Sequence, residues 1–158
     1  MTISAKIVAD SISPAGGRLV TMELCYPRFI HSEFLTHRMF SRNASSSRAI
    51  PVEKMLQQVQ ENPAMPVHWG KNQPGMQARE EIFPNTGKDL WKIYAKQTAK
   101  NAEELNLIGY HKQVVNRLLE PFQYIKVIVT ATEWDNFFKL RLHEDAQPEM
   151  YELARCMK

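Results

Sequence analysis

Cysteine is scarce. Cys25 and Cys156 are the only two in 158 residues, too few for a disulfide framework or a zinc cluster. Long apolar runs are missing as well. The longest uncharged apolar run lies around Val127–Thr132, far short of the roughly 20 residues of a membrane helix. The opening MTISAKIVAD has no apolar segment of signal-peptide type. These absences point to a cytoplasmic protein with no membrane partner. Glycine-rich signatures are absent too. There is no G-x-G-x-x-G, and Gly70-Lys71 lacks the upstream glycine of a phosphate loop. Neither H-E-x-x-H nor G-x-S-x-G occurs. Cys25 falls in a predicted strand and reads as core, so no metal is expected and thiol catalysis is a poor fit.

A bulk excess of one charge sign is missing too. Twenty Lys and Arg stand against 17 Asp and Glu, a net charge of +3. That is too little to argue for nucleic acid as the main partner. Locally the balance differs. No acid occurs between Glu33 and Glu53, while Arg38, Arg42 and Arg48 fall inside. An anionic ligand is expected there.

What is present is ordinary globular material, 44% hydrophobic and 23% charged. Residues 3–12 and 18–26 read as two strands of a hairpin, turned by Pro14-Ala15-Gly16-Gly17. In the second strand Val20, Met22, Leu24 and Tyr26 share one apolar face. Pro27 stops it. The spacing of Phe29, Ile30, Phe34, Leu35 and Met39 predicts a helix over 28–40. Ser41–Arg48 reads as a loop because Ser and Asn compete with helix hydrogen bonds. Pro51 suits N1 of a helix over 52–61. Residues 62–87 form an irregular insertion, with one helical turn expected near 76–81. A strong helix is predicted over 89–107, with Leu90, Ile93, Tyr94, Thr98, Ala102 and Leu105 inward and Gly109 ending it. A second spans 111–119, with Val114, Val115, Leu118 and Leu119 inward. Residues 124–132 form a third strand, and helices follow over 134–143 and 147–157. The expected class is α+β, a small antiparallel sheet with flanking helices, in a single domain over 1–158.

The segment Thr36-His37-Arg38-Met39-Phe40-Ser41-Arg42-Asn43-Ala44-Ser45-Ser46-Ser47-Arg48 concentrates chemistry. Arginine forks suit phosphate oxygens, and hydroxyls and loop amides complete a cradle. The competing reading is a solvated serine-rich loop after an amphipathic helix.

The same segment resembles the signature R-H-R-x-x-S-x-N-E-x-S-x-R of the flavin-dependent thymidylate synthases. His37, Arg38, Ser41, Asn43, Ser46 and Arg48 stand at the matching places. The resemblance continues in Asn116-Arg117-Leu118-Leu119-Glu120-Pro121. It continues again in Asn136-Phe137-Phe138-Lys139-Leu140-Arg141 followed by Ala146-Gln147-Pro148-Glu149. It covers about residues 18–50 and 110–155. It implies an α+β fold like that family's and a homotetramer binding FAD and nucleotide between subunits. It implies a reaction in which reduced flavin, recharged by NADPH, passes a hydride to dUMP, while methylenetetrahydrofolate supplies the carbon. The cofactor carries the hard chemistry and the protein supplies orientation and charge.

By the same resemblance His37, Arg38, Ser41, Asn43 and Asn136 bind flavin. Glu33, Ser46, Ser47, Arg48, Arg117 and Arg141 hold the nucleotide. Arg141 and Ser46 are the catalytic candidates, Arg141 by stabilising negative charge on the pyrimidine. Departures are Thr36 for the first Arg, Ala44 for the Glu, Glu33 for a Gln, Ala49 for an aromatic and Asp145 for a His. They leave open a related enzyme that hydroxymethylates dUMP or modifies dCMP. They also leave open a degenerate homologue that binds nucleotide or single-stranded nucleic acid through Arg38, Arg42 and Arg48. Trp69, Trp91 and Trp134 read as packing residues rather than stacking platforms.

Overall fold

The computed structural model describes residues 2–158. Its elements, in chain order, are β1 (Ser4–Ile12), β2 (Arg18–Pro27), α1 (His31–Phe34), β3 (Ser41–Ala44), α2 (Val52–Glu61), α3 (Pro84–Ile108), α4 (Lys112–Leu118), β4 (Tyr124–Ala131), α5 (Asp135–Arg141) and α6 (Pro148–Met157). Short 3₁₀ turns cover Arg28–Ile30 and Glu120–Phe122. The four strands form one sheet in the order β1-β2-β4-β3, with β1 antiparallel to β2 and β3 antiparallel to β4. The class is α+β with a small antiparallel sheet, as the sequence leads one to expect.

The chain packs as two units. One comprises the chain up to Tyr26 with residues 30–45 and 125–158. Its core is the inner face of the sheet. Val20, Met22, Leu24 and Tyr26 of β2 and Ile125, Val127, Val129 and Ala131 of β4 are all buried. The period of two places them on one side. Phe34, Phe40 and Phe137 form an aromatic knot with centroids 5.1–6.1 Å apart. Helix α6 adds Met150, Leu153, Ala154 and Met157. Gln147 caps it, its side chain accepting from the Met150 amide at 2.9 Å.

The other unit comprises residues 27–29 and 46–124. Helices α2, α3 and α4 bury Val52, Met55, Leu56 and Val59 against Ala95, Ala99 and Ala102, with Val115, Leu119 and Phe122. Alanine on α3 lets the neighbouring helices approach closely. Trp91 packs on Phe122, and its indole donates to the Ala64 carbonyl at 2.8 Å. Gly87 sits under Trp69, where any side chain would collide with the indole ring. Gly109 closes α3 in the left-handed conformation, φ 103°.

Several expectations are corrected. The helix predicted over 28–40 is a 3₁₀ turn followed by α1, which ends at Phe34. The Thr36 hydroxyl donates to the Glu33 carbonyl at 2.7 Å and helps close it there. The predicted loop 41–48 opens as β3, whose backbone pairs with β4 from Ser41↔Thr130 to Ala44↔Val127. Pro51 is the N-cap of α2, not N1. Helix α3 starts at Pro84, and residues 76–81 hold no helical turn. Gly70 instead bridges Glu81 across a bend. On α3, Leu90, Ile93 and Tyr94 are exposed, and on α4 Val114 and Leu118 are too. The close helix contacts select alanines, Val115 and Leu119, and turn the bulkier side chains outward.

Candidate functional site

In the sheet unit the motif residues divide by local backbone. After α1 the chain turns through Leu35–Phe40, with the Phe40 amide donating to the His37 carbonyl at 3.3 Å. Arg42 fixes this turn. It lies on β3 beside Ala44, on the side that faces the core, and its Nη1 donates to the carbonyls of Phe34, Leu35 and His37 at 3.2, 2.8 and 2.9 Å. The Phe34 and His37 carbonyls also accept the amides of His37 and Phe40, at 3.4 and 3.3 Å. Arg42 therefore spends this nitrogen inside the fold.

His37 is buried, at 8% exposure. Its ring meets the edge of Phe137 at a centroid distance of 4.8 Å. Its Nε2 accepts from the Nε of Arg141 at 2.9 Å. An accepting Nε2 places the neutral ring's proton on Nδ1. Burial first, then the charges of Arg141 and Arg42, push the His37 pKa down to about 4, so the ring is neutral at pH 7. Arg141 ends α5 and is half-buried. Its Nη2 lies 3.5 Å from the Thr36 hydroxyl. Its Nη1 makes no hydrogen bond with the described residues.

Four further candidates stand exposed around this pair's unit. Ser41 and Asn43 alternate on the outer face of β3, opposite Thr130 and Ile128 of β4. Arg38 lies in the turn and Asn136 in the first turn of α5. Their side chains make no hydrogen bond or ion pair with the described residues. Glu33 is half-buried in α1.

The helical unit carries the rest. Ser46 is exposed, and its hydroxyl accepts from the Arg48 amide at 3.3 Å. Ser47 is buried, and its hydroxyl donates to Glu120 Oε1 at 3.2 Å. The same oxygen meets Arg28 Nη2 at 3.3 Å. Arg48 is exposed in the loop and Arg117 is exposed on α4. Asn116 is fully buried, and its Nδ2 donates to the carbonyls of Ser47 and Ile50 at 2.7 and 3.0 Å. Sequence reading counted Arg42 among the ligand-binding cations, whereas its Nη1 is spent on backbone carbonyls, and it gave Asn116 and Glu120 no role of their own. The available signal was a lone amide in line with Val115 and Leu119 on an apolar helix face. No group of three His, Cys, Asp or Glu is placed to hold a metal among the described residues. No helix among them is long and apolar enough to cross a membrane.

A family model described as thymidylate synthase complementing protein matches residues 12–158. The chain belongs to this family. No curated protein matches it. Two solved structures of a UMP/dUMP methylase, PolB from Streptomyces cacaoi, are similar in fold. The one bound with 5-Br UMP has a TM-score of 0.74 at 16% identity, covering 98% of this chain and 86% of that one. The one bound with 5-Br dUMP has a TM-score of 0.77 at 14% identity, covering 98% and 87%. Thr36 departs from the signature's first arginine. Its hydroxyl lies beside Arg141, where the signature has a further arginine. Ala44 is half-buried next to Arg42 on β3.

Proposed function

We propose that the chain catalyses C5 methylation of dUMP to dTMP, with FAD as cofactor and NADPH and methylenetetrahydrofolate as co-substrates. Membership of the thymidylate synthase complementing family over residues 12–158 carries this reading. The anchored guanidinium of Arg141 gives it a chemical locus.

The residues present fit a flavin nucleotide. Arg38 offers an uncommitted guanidinium to a pyrophosphate, and Ser41, Asn43 and Asn136 offer a hydroxyl and two carboxamides that both donate and accept. Bound there, reduced flavin would supply the hydride. On the protein's side, Arg141 holds positive charge where negative charge develops on the pyrimidine, fixed in orientation before the reaction begins. Neutral His37 accepts from Arg141 without competing for a negative partner. In the helical unit, Arg48 and Arg117 bind the nucleotide's phosphate, with Ser46 beside Arg48. Ser47 supports them through its bond to Glu120. The chain assembles as a homotetramer. The exposed apolar residues Leu90, Ile93 and Tyr94 of α3 support contact between copies.

The test is direct. The purified protein, supplied with FAD, shows a flavin absorption spectrum and releases tritium from C5-labelled dUMP when folate and NADPH are present. Protein that binds no flavin and releases none overturns the reading. Mass spectrometry of the product separates methyl from hydroxymethyl, the alternative that Glu33 and Ala44 leave open. Arg48→Ala weakens dUMP binding by about 1.5–3 kcal/mol, the range for hydrogen bonds to charged groups, while Arg38→Ala lowers flavin retention. Oligonucleotide binding by flavin-free protein would favour the non-enzymatic alternative.

A further inference from the structure

Asn116 occupies an odd place. It is fully buried on a helix whose neighbouring inward residues are Val115 and Leu119. Both of its carboxamide bonds go to one loop, to the carbonyls of Ser47 and Ile50 at 2.7 and 3.0 Å. Those two carbonyls bracket Arg48 and Ala49. Its own backbone carbonyl is held by Gln123 Nε2 at 3.0 Å, and Gln123 is itself buried. Glu120, one helical turn further on, takes the Ser47 hydroxyl. Meanwhile the Oδ1 of Asn116 has no hydrogen-bond partner among the described residues. A buried acceptor left unpaired is costly, so an apolar residue would serve packing alone better. The amide is retained where its two donors are spent on the loop carbonyls.

We infer that Asn116 is a positioning residue for nucleotide binding, clamping both ends of the 47–50 loop and thereby fixing how Arg48 is presented. The inference rests on the reading of Arg48 as a nucleotide-binding residue. Without the clamp the loop samples several conformations, and Arg48 must be ordered anew each time nucleotide binds. The loss falls on nucleotide affinity and runs through Arg48.

The test is a double-mutant cycle on the full chain, with FAD in excess and dUMP titrated by calorimetry. Asn116→Ala alone weakens dUMP binding about tenfold. In an Arg48→Ala background the same substitution adds less than about a twofold loss, because the group it acted through is gone. Asn116→Thr, smaller in its demands on the core and keeping one donor, gives an intermediate loss and carries the comparison if the alanine variant does not fold. Losses that multiply independently overturn the positioning role and leave Asn116 a stability residue only. So does wild-type dUMP affinity in folded Asn116 variants while Arg48→Ala is weakened. If Arg48→Ala itself binds dUMP as well as wild type, the nucleotide reading of Arg48 fails, and the inference falls with it.

Discussion

An arginine that must keep a fixed direction needs a partner that does not neutralise it. His37 provides this for Arg141, accepting at Nε2 while its own charge is suppressed. The arrangement has a pH signature. In the unfolded chain His37 has an ordinary pKa near 6.5, whereas in the fold it is about 4. Between these values the unfolded state binds the extra proton, so stability rises with pH across the window and is lost as pH falls from 6.5 towards 4. The expected loss is on the order of 2 kcal/mol. Urea unfolding of wild type and His37→Asn at several pH values checks it, since the variant lacks this component. An equal pH dependence in both would show that His37 is not the titrating group. The sequence singles out His37 and Arg141 separately, through their motifs. Their contact spans 104 residues, and no local pattern encodes it.

At the scale of elements, β2, β4, α2 and α6 are legible because alternation or helical spacing agrees with burial there, while β1 is legible through its turn and pairing although its side chains stay exposed. Two regions are not. Strand β3 is four residues of Ser, Arg, Asn and Ala, poor in the branched and aromatic residues that mark strands, and it sits at the sheet's edge. Its identity comes from pairing with β4, which only the fold supplies. Helix α1 ends early, and Arg42 caps the turn that follows it. Arg42→Ala removes that cap and leaves three carbonyls of Phe34, Leu35 and His37 without it. The expected cost is about 1.5–3 kcal/mol, read as a lower urea midpoint at unchanged m-value. A variant as stable as wild type would show that water replaces the guanidinium without penalty.

Across the molecule, hydrophobic strength misled where it was greatest. On α3 the alanines 95, 99 and 102 are buried, while Leu90, Ile93 and Tyr94 stand on another stripe of the same helix, 44–58% exposed. A second apolar stripe left exposed on one helix fits the proposed homotetramer, in which it would meet another copy. Ile93→Asp is expected to shift the protein to a smaller species in size-exclusion chromatography with light scattering, with helical content unchanged by circular dichroism. An unchanged mass would show that this stripe makes no contact between copies. A different dependence follows from the indole of Trp69 resting on Gly87. Glycine within a helix gives up about 1 kcal/mol relative to alanine, and here that sacrifice is the condition for seating the ring. The opening turns of α3 and the irregular segment carrying Trp69 are thus tethered to one another, so whatever loosens the one unmoors the other.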